Sequence, residues 1–248
     1  DYEAPDFETF TLNVKDLAPK EGENVVTKMF DNGELTAGVL ENGPVTDYIR
    51  RFLSNWPVRG GKLDLNDVHV LVQSSDFERQ VEELHRRGVD SRILYSDGGQ
   101  ILVCSQSTLD WMNGWLSFEN NHGDGHFPGN YQRTIYSSGF RPNILLNEIK
   151  GTPGGLPANV EDLIDSAEIN GVRMQFGKMC VRCPVPNIDP RTATHTDQPG
   201  KWLVKNRPRR PDVPKATFGV NAEFDTGDQK LRIADGDTFI ITGEKTSL

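Results

Sequence analysis

Two of the chain's three cysteines, Cys180 and Cys183, lie three positions apart with Arg182 between them. A thiolate is a soft ligand and a nucleophile, so this cluster could bind a metal ion or react covalently. A structural zinc site needs four ligands, and the third cysteine, Cys104, lies far upstream. The sequence therefore argues against zinc. It leaves open a reactive thiol, a ligand to another metal, or ordinary packing of a free cysteine in the core.

The acidic balance of the chain limits the classes of partner. Its 36 Asp and Glu residues outnumber its 27 Lys and Arg residues, for a net charge of −9. This argues against general nucleic-acid binding, for which a basic face is expected. One basic cluster stands out at residues 205–211, and its prolines predict a solvated loop instead of a regular helix.

The apolar and cysteine content indicate the compartment. No apolar run approaches the 18 or so residues of a membrane-spanning helix, and the start of the chain does not resemble a signal peptide. Three cysteines are too few for a disulfide scaffold. We therefore expect an intracellular protein without a membrane span in this chain.

The elements before residue 95 read as a mixture of short strands and helices. Alternating runs separated by Asn-Gly turns predict strands within the first 42 residues. Apolar positions at helical spacing predict a helix over 46–56 with Thr46 as its N-cap. A β-branched run predicts a strand at 68–72, and a second periodic segment predicts a helix over 76–87.

The elements after residue 95 are richer in strands. A strand at 101–104 is followed by a predicted helix that carries Leu109, Met112 and Leu116 on one face. A polar, glycine-rich loop is expected at 117–130, where it would help to shape the entrance to a site. Further strands are predicted at 143–149, 171–179, 217–221 and 238–242, with loops between 151 and 157 and in the proline-rich stretch up to 214.

Four separate motifs, in this order and spacing, resemble the MOSC domain. They are Phe-Arg-Pro-Asn-Ile at 140–144, Cys-Val-Arg-Cys at 180–183 followed by Asp-Pro at 189–190, Phe-Gly-Val-Asn at 218–221, and Ile-Ala-Asp-Gly-Asp at 233–237. This domain occurs in molybdenum cofactor sulfurases, in the mitochondrial amidoxime-reducing component, and in bacterial relatives that detoxify N-hydroxylated bases. The segment at 95–109 and the helix at 46–56 are most similar to the amidoxime-reducing branch.

The resemblance implies a mixed α/β fold with a β-barrel. The MOSC β-barrel domain would span residues 95–248, and residues 1–94 would form a smaller α/β subdomain. It also implies a cytoplasmic or mitochondrial location.

The resemblance further implies a molybdenum bound by molybdopterin. The second cysteine of the motif, Cys183, would coordinate the metal and be the catalytic residue, whereas Cys180 is expected to pack. Arg182 would neutralise anionic groups of the cofactor, because a guanidinium bonds such groups with several donors at once. Arg141 and Asn143 would contact the pterin or its phosphate. Asp189 would contact a pterin nitrogen or support the cysteine loop.

Two expected parts of the cofactor site are missing or altered in this sequence. A Lys-Ser pair and an Asp-Arg pair in the family's first barrel strands would lie before residue 1, and the Gly expected after Asp189-Pro190-Arg191-Thr192 is Ala193. A barrel without its first strands would expose unpaired edges. We therefore expect a preceding segment of the gene product, or a separate chain, to supply those strands.

Three functions are consistent with the resemblance. The first is an oxidoreductase that reduces N-hydroxylated small molecules with electrons from a partner redox protein. The second is a module that carries or sulfurates the cofactor. No pyridoxal-phosphate-type desulfurase domain is visible in the sequence, so we expect no self-contained sulfurase. The third is a degenerate MOSC fold without molybdenum that serves as a structural subunit or catalyses another reaction.

Overall fold

The structure is a computed structural model of the 248-residue chain, which forms two compact units, Asp1–Arg79 and Gln80–Leu248. It describes residues 24–28, 34–40, 44–54, 64–65, 70–73, 79–80, 92–93, 99–122, 134–147, 155–189, 192, 194–207, 215–225 and 231–245. The boundary expected from the sequence between residues 94 and 95 stays a prediction.

The described residues of the first unit include a three-stranded antiparallel sheet and one α-helix. Strands β1 (Asn24–Lys28), β2 (Glu34–Leu40) and β3 (Val70–Gln73) pair in that order. Helix α1 (Pro44–Ser54) begins two residues before the predicted N-cap, because proline is favoured at the first position of a helix. Thr46 is therefore a buried residue inside α1 and not its cap.

The predicted helix over 76–87 is wrong at the residues that the structure describes. Strand β4 (Arg79–Gln80) pairs with β5 (Arg92–Ile93). Pairing with a distant strand here overrides the local helical periodicity, as strand context commonly does. The rest of that predicted helix lies outside the described residues.

The second unit is built on a curled six-stranded mixed sheet with helices. Its elements are β6 (Ile101–Ser105), α2 (Gln106–His122), β7 (Ile144–Leu146), α3 (Val160–Leu163), β8 (Ile164–Ile169), β9 (Val172–Val181), α4 (Gly200–Asn206), β10 (Thr217–Asp225) and β11 (Phe239–Glu244). The strand order is β11-β8-β9-β10-β6-β7, and only β6 and β7 run parallel among these pairs.

The mixed α/β class expected from the sequence is confirmed. A closed barrel stays a prediction, because β11 and β7 are the outer strands among those that the structure describes.

Strand β6 separates the two buried apolar clusters. Leu102 and Cys104 face one of them, and Val103 faces the other, as the alternation of a strand requires. The helix-side cluster contains the predicted α2 residues together with loop, α4 and β10 side chains, namely Leu109, Met112, Leu116, Ile135, Phe140, Trp202, Leu203 and Phe218. The predicted core face of α2 is therefore confirmed.

Two helices extend into segments that were expected to be loops. Helix α2 continues to His122, into the predicted loop at 117–130, because no Gly or Pro interrupts the chain between Gly114 and Gly123. Helix α4 occupies part of the predicted proline-rich loop. Pro199 and Pro208 lie on either side of α4 in the sequence, so neither interrupts the helix. Burial of the apolar side chains of α4 stabilises it.

Gly219 is required where β10 passes β6. Its φ of +77° lies in the left-handed region, and a Cβ there would lie 2.5 Å from Cys104 Sγ and 2.8 Å from the Val103 carbonyl oxygen. Both the backbone conformation and the close approach exclude a side chain. The Phe-Gly pair of the third motif is therefore a packing feature of the sheet.

We predict that Gly219→Ala lowers the free energy of unfolding by about 2–4 kcal/mol, because it adds both backbone strain and overpacking. Urea unfolding followed by circular dichroism measures this change. Gly114→Ala is the matched control, since a Cβ at Gly114 meets nothing within 4 Å. Alanine is also the better helix former, so the control should be neutral or stabilising by up to about 1 kcal/mol. Equal stabilities for the two variants would contradict the packing argument.

Candidate functional site

Cys183 lies two residues beyond the end of β9 and opens into a cleft of about 370 Å³. The walls of this cleft come from the cysteine loop, from α4 and from the start of β10, and are formed by Arg182, Pro184, Asn187, Asp197, Gly200, Lys201, Val204 and Ala216. The Cys183 thiol is free and its residue is exposed. It is therefore accessible to a ligand in the cleft.

Asn187 joins the cysteine loop to α4. Its side-chain Oδ1 accepts a hydrogen bond of 2.8 Å from the Gly200 backbone N–H, and its carbonyl oxygen accepts one of 3.0 Å from the Thr196 N–H. A Cβ at Gly200 would lie 3.0 Å from Asn187 Oδ1, so the loop and the helix approach closely. Sequence reasoning did not identify Asn187, because its partners lie 9 and 13 residues away in segments predicted to be loop.

Asp189 lies in the same loop, half-buried, with its backbone N–H donating to the Thr194 carbonyl oxygen at 2.9 Å. An isolated bridge between Ile188 and His195 closes the loop beside it. Asp189 therefore lies downstream of Cys183 and is held through its backbone by Thr194. Its contact with a cofactor stays a prediction.

Arg182 makes its strong contacts with the protein itself. Its Nη1 donates to Cys180 Sγ at 3.1 Å, and its Nη2 donates to the Phe140 carbonyl oxygen at 2.7 Å. Its backbone N–H donates to the Ala216 carbonyl oxygen at 2.8 Å. Arg182 thus ties the end of β9 to both the Phe140 loop and the segment that enters β10.

Arg141 is exposed and has a left-handed backbone, with φ of +57°. This conformation costs about 1–3 kcal/mol for a residue other than glycine, and the following Pro142 also favours extended backbone at this position. The turn at Ser137–Gly139, which precedes Arg141, contacts the turn at Val185–Asn187, which follows Cys183. The structure therefore brings the Arg141 loop next to the cysteine loop.

Asn143 is hydrogen-bonded to Leu102 in strand β6. Its side-chain Oδ1 accepts from the Leu102 N–H at 2.8 Å, and its own backbone N–H donates to the Leu102 carbonyl oxygen at 2.9 Å. The amide oxygen is thus used inside the protein. A ligand contact by Asn143 would have to come from its side-chain N–H₂ group.

The three cysteines, all of which the structure describes, differ sharply in environment. Cys104 is fully buried, and burial, reinforced by the nearby Glu161 carboxylate, raises the pKa of its thiol far above the usual range. Cys180 is half-buried and packs against the helix-side cluster. Only Cys183 is exposed, so it is the one suited to act as an accessible thiolate.

A buried ion-pair cluster of Arg207, Glu161 and Asp162 lies near Cys104. Arg207 Nη2 donates to Asp162 Oδ1 at 2.7 Å and to Glu161 Oε1 at 3.1 Å, with all three side chains almost fully buried. The hydroxyls of Ser105 and Thr108 donate to Glu161 Oε2 at 2.6 and 2.9 Å. The prediction that the basic cluster at 205–211 is a solvated loop is therefore wrong at Arg207, because its guanidinium is buried in ion pairs with Glu161 and Asp162.

Two aromatic rings connect this cluster with the cysteine loop. The rings of Phe140 and Phe218 stack with centroids 3.9 Å apart and an angle of 16° between their planes. The Arg182 guanidinium carbon lies 5.6 Å from the centroid of Phe140, and that of Arg207 lies 5.2 Å from the centroid of Phe218. These four residues form what we call the Arg–Phe stack, in which each cation contacts one ring face.

The family model of the MOSC domain matches residues 90–239, which is more than half of the chain. The chain belongs to the MOSC domain family. MOSC domains are found in molybdenum-cofactor-associated proteins. Arg141, Asn143, Arg182, Cys183 and Asp189 all lie inside the matched range. A comparison with curated proteins gives no match.

The described residues of this MOSC domain offer few protein ligands for a metal ion. Within the part of the chain that the structure describes, no three His, Cys, Asp or Glu side chains are grouped as metal ligands. A metal at Cys183 would therefore have to bring most of its own ligands, as a metal chelated by an organic cofactor does.

No helix among the described residues is long and apolar enough to cross a membrane.

The buried Asp162 carboxyl group makes the stability of the MOSC domain pH-dependent. Burial, opposed by the Arg207 charge and reinforced by Glu161, raises the pKa of Asp162 to about 6. A carboxyl whose pKa is raised in the folded state contributes stability below its unfolded pKa, near 4, and loses it as the pH rises through about 6. The contribution of Asp162 to the free energy of unfolding should thus fall by up to about 3 kcal/mol between pH 4 and 7.

We predict that Asp162→Asn removes this contribution. Urea unfolding of the wild type and the variant across pH 4–7 measures it, because titrating groups outside the Glu161–Asp162–Arg207 cluster cancel in the difference. The wild type should lose stability relative to the variant as the pH rises through about 6. A stability difference that is constant over this range, or that changes with the opposite sign, would contradict the pKa assignment.

Proposed function

We propose that this protein is a molybdenum-cofactor-dependent oxidoreductase that reduces N-hydroxylated compounds and belongs to the amidoxime-reducing branch of the MOSC family. The observation that carries the proposal is the exposed Cys183 thiol in its cleft, since Cys104 is buried and Cys180 is half-buried. The adjacent Arg141 loop supports it, because a strained and exposed arginine is a feature that folding alone does not require.

The residues present fit such a cofactor. A single thiolate is a sufficient protein ligand when the other ligands come from the dithiolene sulfurs of molybdopterin. Cys183 would hold the metal, and the Arg141 guanidinium would bind the anionic phosphate of the pterin through paired donors. The side-chain amide N–H₂ of Asn143 and the carboxylate of Asp189 would bind acceptors and donors of the pterin ring.

When bound, the cofactor supplies the two-electron chemistry that removes oxygen from the substrate. The overall reaction breaks the N–O bond of an N-hydroxylated substrate, takes two electrons and two protons, and releases the amine or amidine with water. The electrons come from a partner redox protein. The chain's own residues would bind and orient the reacting groups at the Cys183 cleft.

A second candidate function, the handling of cofactor or sulfur, is favoured by the same exposed thiol. Cys183 is accessible to a sulfur donor as well as to a metal, so it could carry a persulfide for transfer. A degenerate fold with a structural role is the remaining alternative. The fate of molybdenum and of sulfur at Cys183 distinguishes these three functions.

The test uses protein produced in a host that makes the molybdenum cofactor. We expect about one molybdenum atom per chain in the wild type, together with reduction of a simple amidoxime when a chemical electron donor is supplied. Cys183→Ser should lose both, because a hydroxyl is a far weaker ligand for such a metal than a thiolate. Metal analysis and an amidine assay measure these outcomes.

Cys180→Ser is the matched control, since it changes the same atom three residues away at a half-buried position. It should keep its molybdenum, because a serine hydroxyl can also accept the hydrogen bond that Arg182 Nη1 donates to Cys180. A wild-type protein that contains no molybdenum would contradict the proposal. Retention of the cofactor by Cys183→Ser, with loss of sulfur transfer only, would instead support the carrier function.

A further inference from the structure

We propose that Arg182 is a positioning residue, which fixes the Phe140–Arg141 peptide and so directs the Arg141 side chain toward the ligand at Cys183. In this account Arg182 does not itself bind the anionic ligand. The positioning claim concerns the protein alone, and the identity of the ligand rests on the proposed function.

The peptide group between Phe140 and Arg141 is held from both sides. Its carbonyl oxygen accepts the 2.7 Å hydrogen bond from Arg182 Nη2, and its N–H donates to the Ser137 carbonyl oxygen at 3.1 Å. Two opposed hydrogen bonds fix the orientation of this peptide plane, which is one of the two that define the left-handed φ of Arg141. Two residues further on, Asn143 fixes the chain again through its hydrogen bonds to Leu102.

The backbone is therefore held by hydrogen bonds on both sides of the exposed Arg141, at the Phe140–Arg141 peptide and at Asn143. Its unfavourable backbone persists because the surrounding hydrogen bonds determine it, which is the usual condition for strain at a functional site. Relaxation of this loop to an ordinary φ would change the direction in which the Arg141 side chain leaves the backbone. Arg182 is the charged member of the set that prevents such relaxation.

The guanidinium of Arg182 suits this role better than a ligand-binding role. Its two terminal nitrogens bond to Phe140 and Cys180, and its Nε is buried without a hydrogen-bond partner among the described residues. The Phe140 ring lies against it in the Arg–Phe stack. A lysine would keep the charge, but its single nitrogen lacks the planar fork that reaches both acceptors while lying against the ring.

Hydrogen exchange of the cofactor-free protein tests the positioning claim directly. In Arg182→Lys, the amides between 137 and 143 should exchange about tenfold faster or more, as expected when a charge-assisted hydrogen bond is lost. The amides of β8 and β9 between 164 and 176 should not change. Arg141→Ala is the control, and it should leave exchange in the 137–143 segment within about twofold of the wild type. Unchanged exchange in Arg182→Lys would overturn the proposal.

A double-mutant cycle on molybdopterin retention tests the route of the effect. Arg182→Lys should weaken retention by about tenfold in the wild-type background and by less than about twofold in the Arg141→Ala background. Equal losses in both backgrounds would show that Arg182 acts on the ligand independently of Arg141, which overturns the proposal. If the wild type retains no molybdopterin, the proposed function fails, and the exchange experiment still decides the positioning claim.

Discussion

The Arg–Phe stack is the interaction on which the site depends. Its two rings, Phe140 and Phe218, belong to the Arg141 loop and to β10, and its two arginines belong to the cysteine loop and to the end of α4. Four segments that are distant in sequence therefore meet along one line of contacts. Because the aromatic faces attract the cations and the rings are buried, displacement of any one member exposes or unpairs the others.

The buried end of this stack adds specificity more than stability. Burying Arg207 with Glu161 and Asp162 costs desolvation energy, and at Asp162 burial outweighs the Arg207 charge, since the pKa of that carboxyl is raised. The arrangement leaves Asp162 Oδ2 and two Arg207 nitrogens buried without hydrogen-bond partners among the described residues. We infer that the cluster fixes where α3, α4 and β6 meet, since a misplaced arginine would leave two carboxylates unpaired in the core.

The sequence predicted the features that depend on local pattern. The β6, β9 and β10 strands and the core face of α2 follow from periodicity, and Cys183 and Arg141 follow from motif resemblance. The extension of α2 to His122 was also readable, because the next helix-breaking residue is Gly123. The sequence could not predict the burial of Arg207 or the Asn187–Gly200 contact, because each depends on partners that folding brings together. The hydrogen bonds of Arg182 to the Phe140 carbonyl and to Cys180 also could not be predicted, because these acceptors carry no signal in sequence.

The central claim is that Cys183 is a protein ligand to molybdenum. X-ray absorption at the molybdenum edge measures the sulfur ligands of the metal directly. We expect the Cys183→Ser spectrum, taken on whatever molybdenum that variant retains or is given by reconstitution, to have one sulfur neighbour fewer than the wild type. Cys180→Ser should match the wild type. The same sulfur count in wild type and Cys183→Ser would contradict the account.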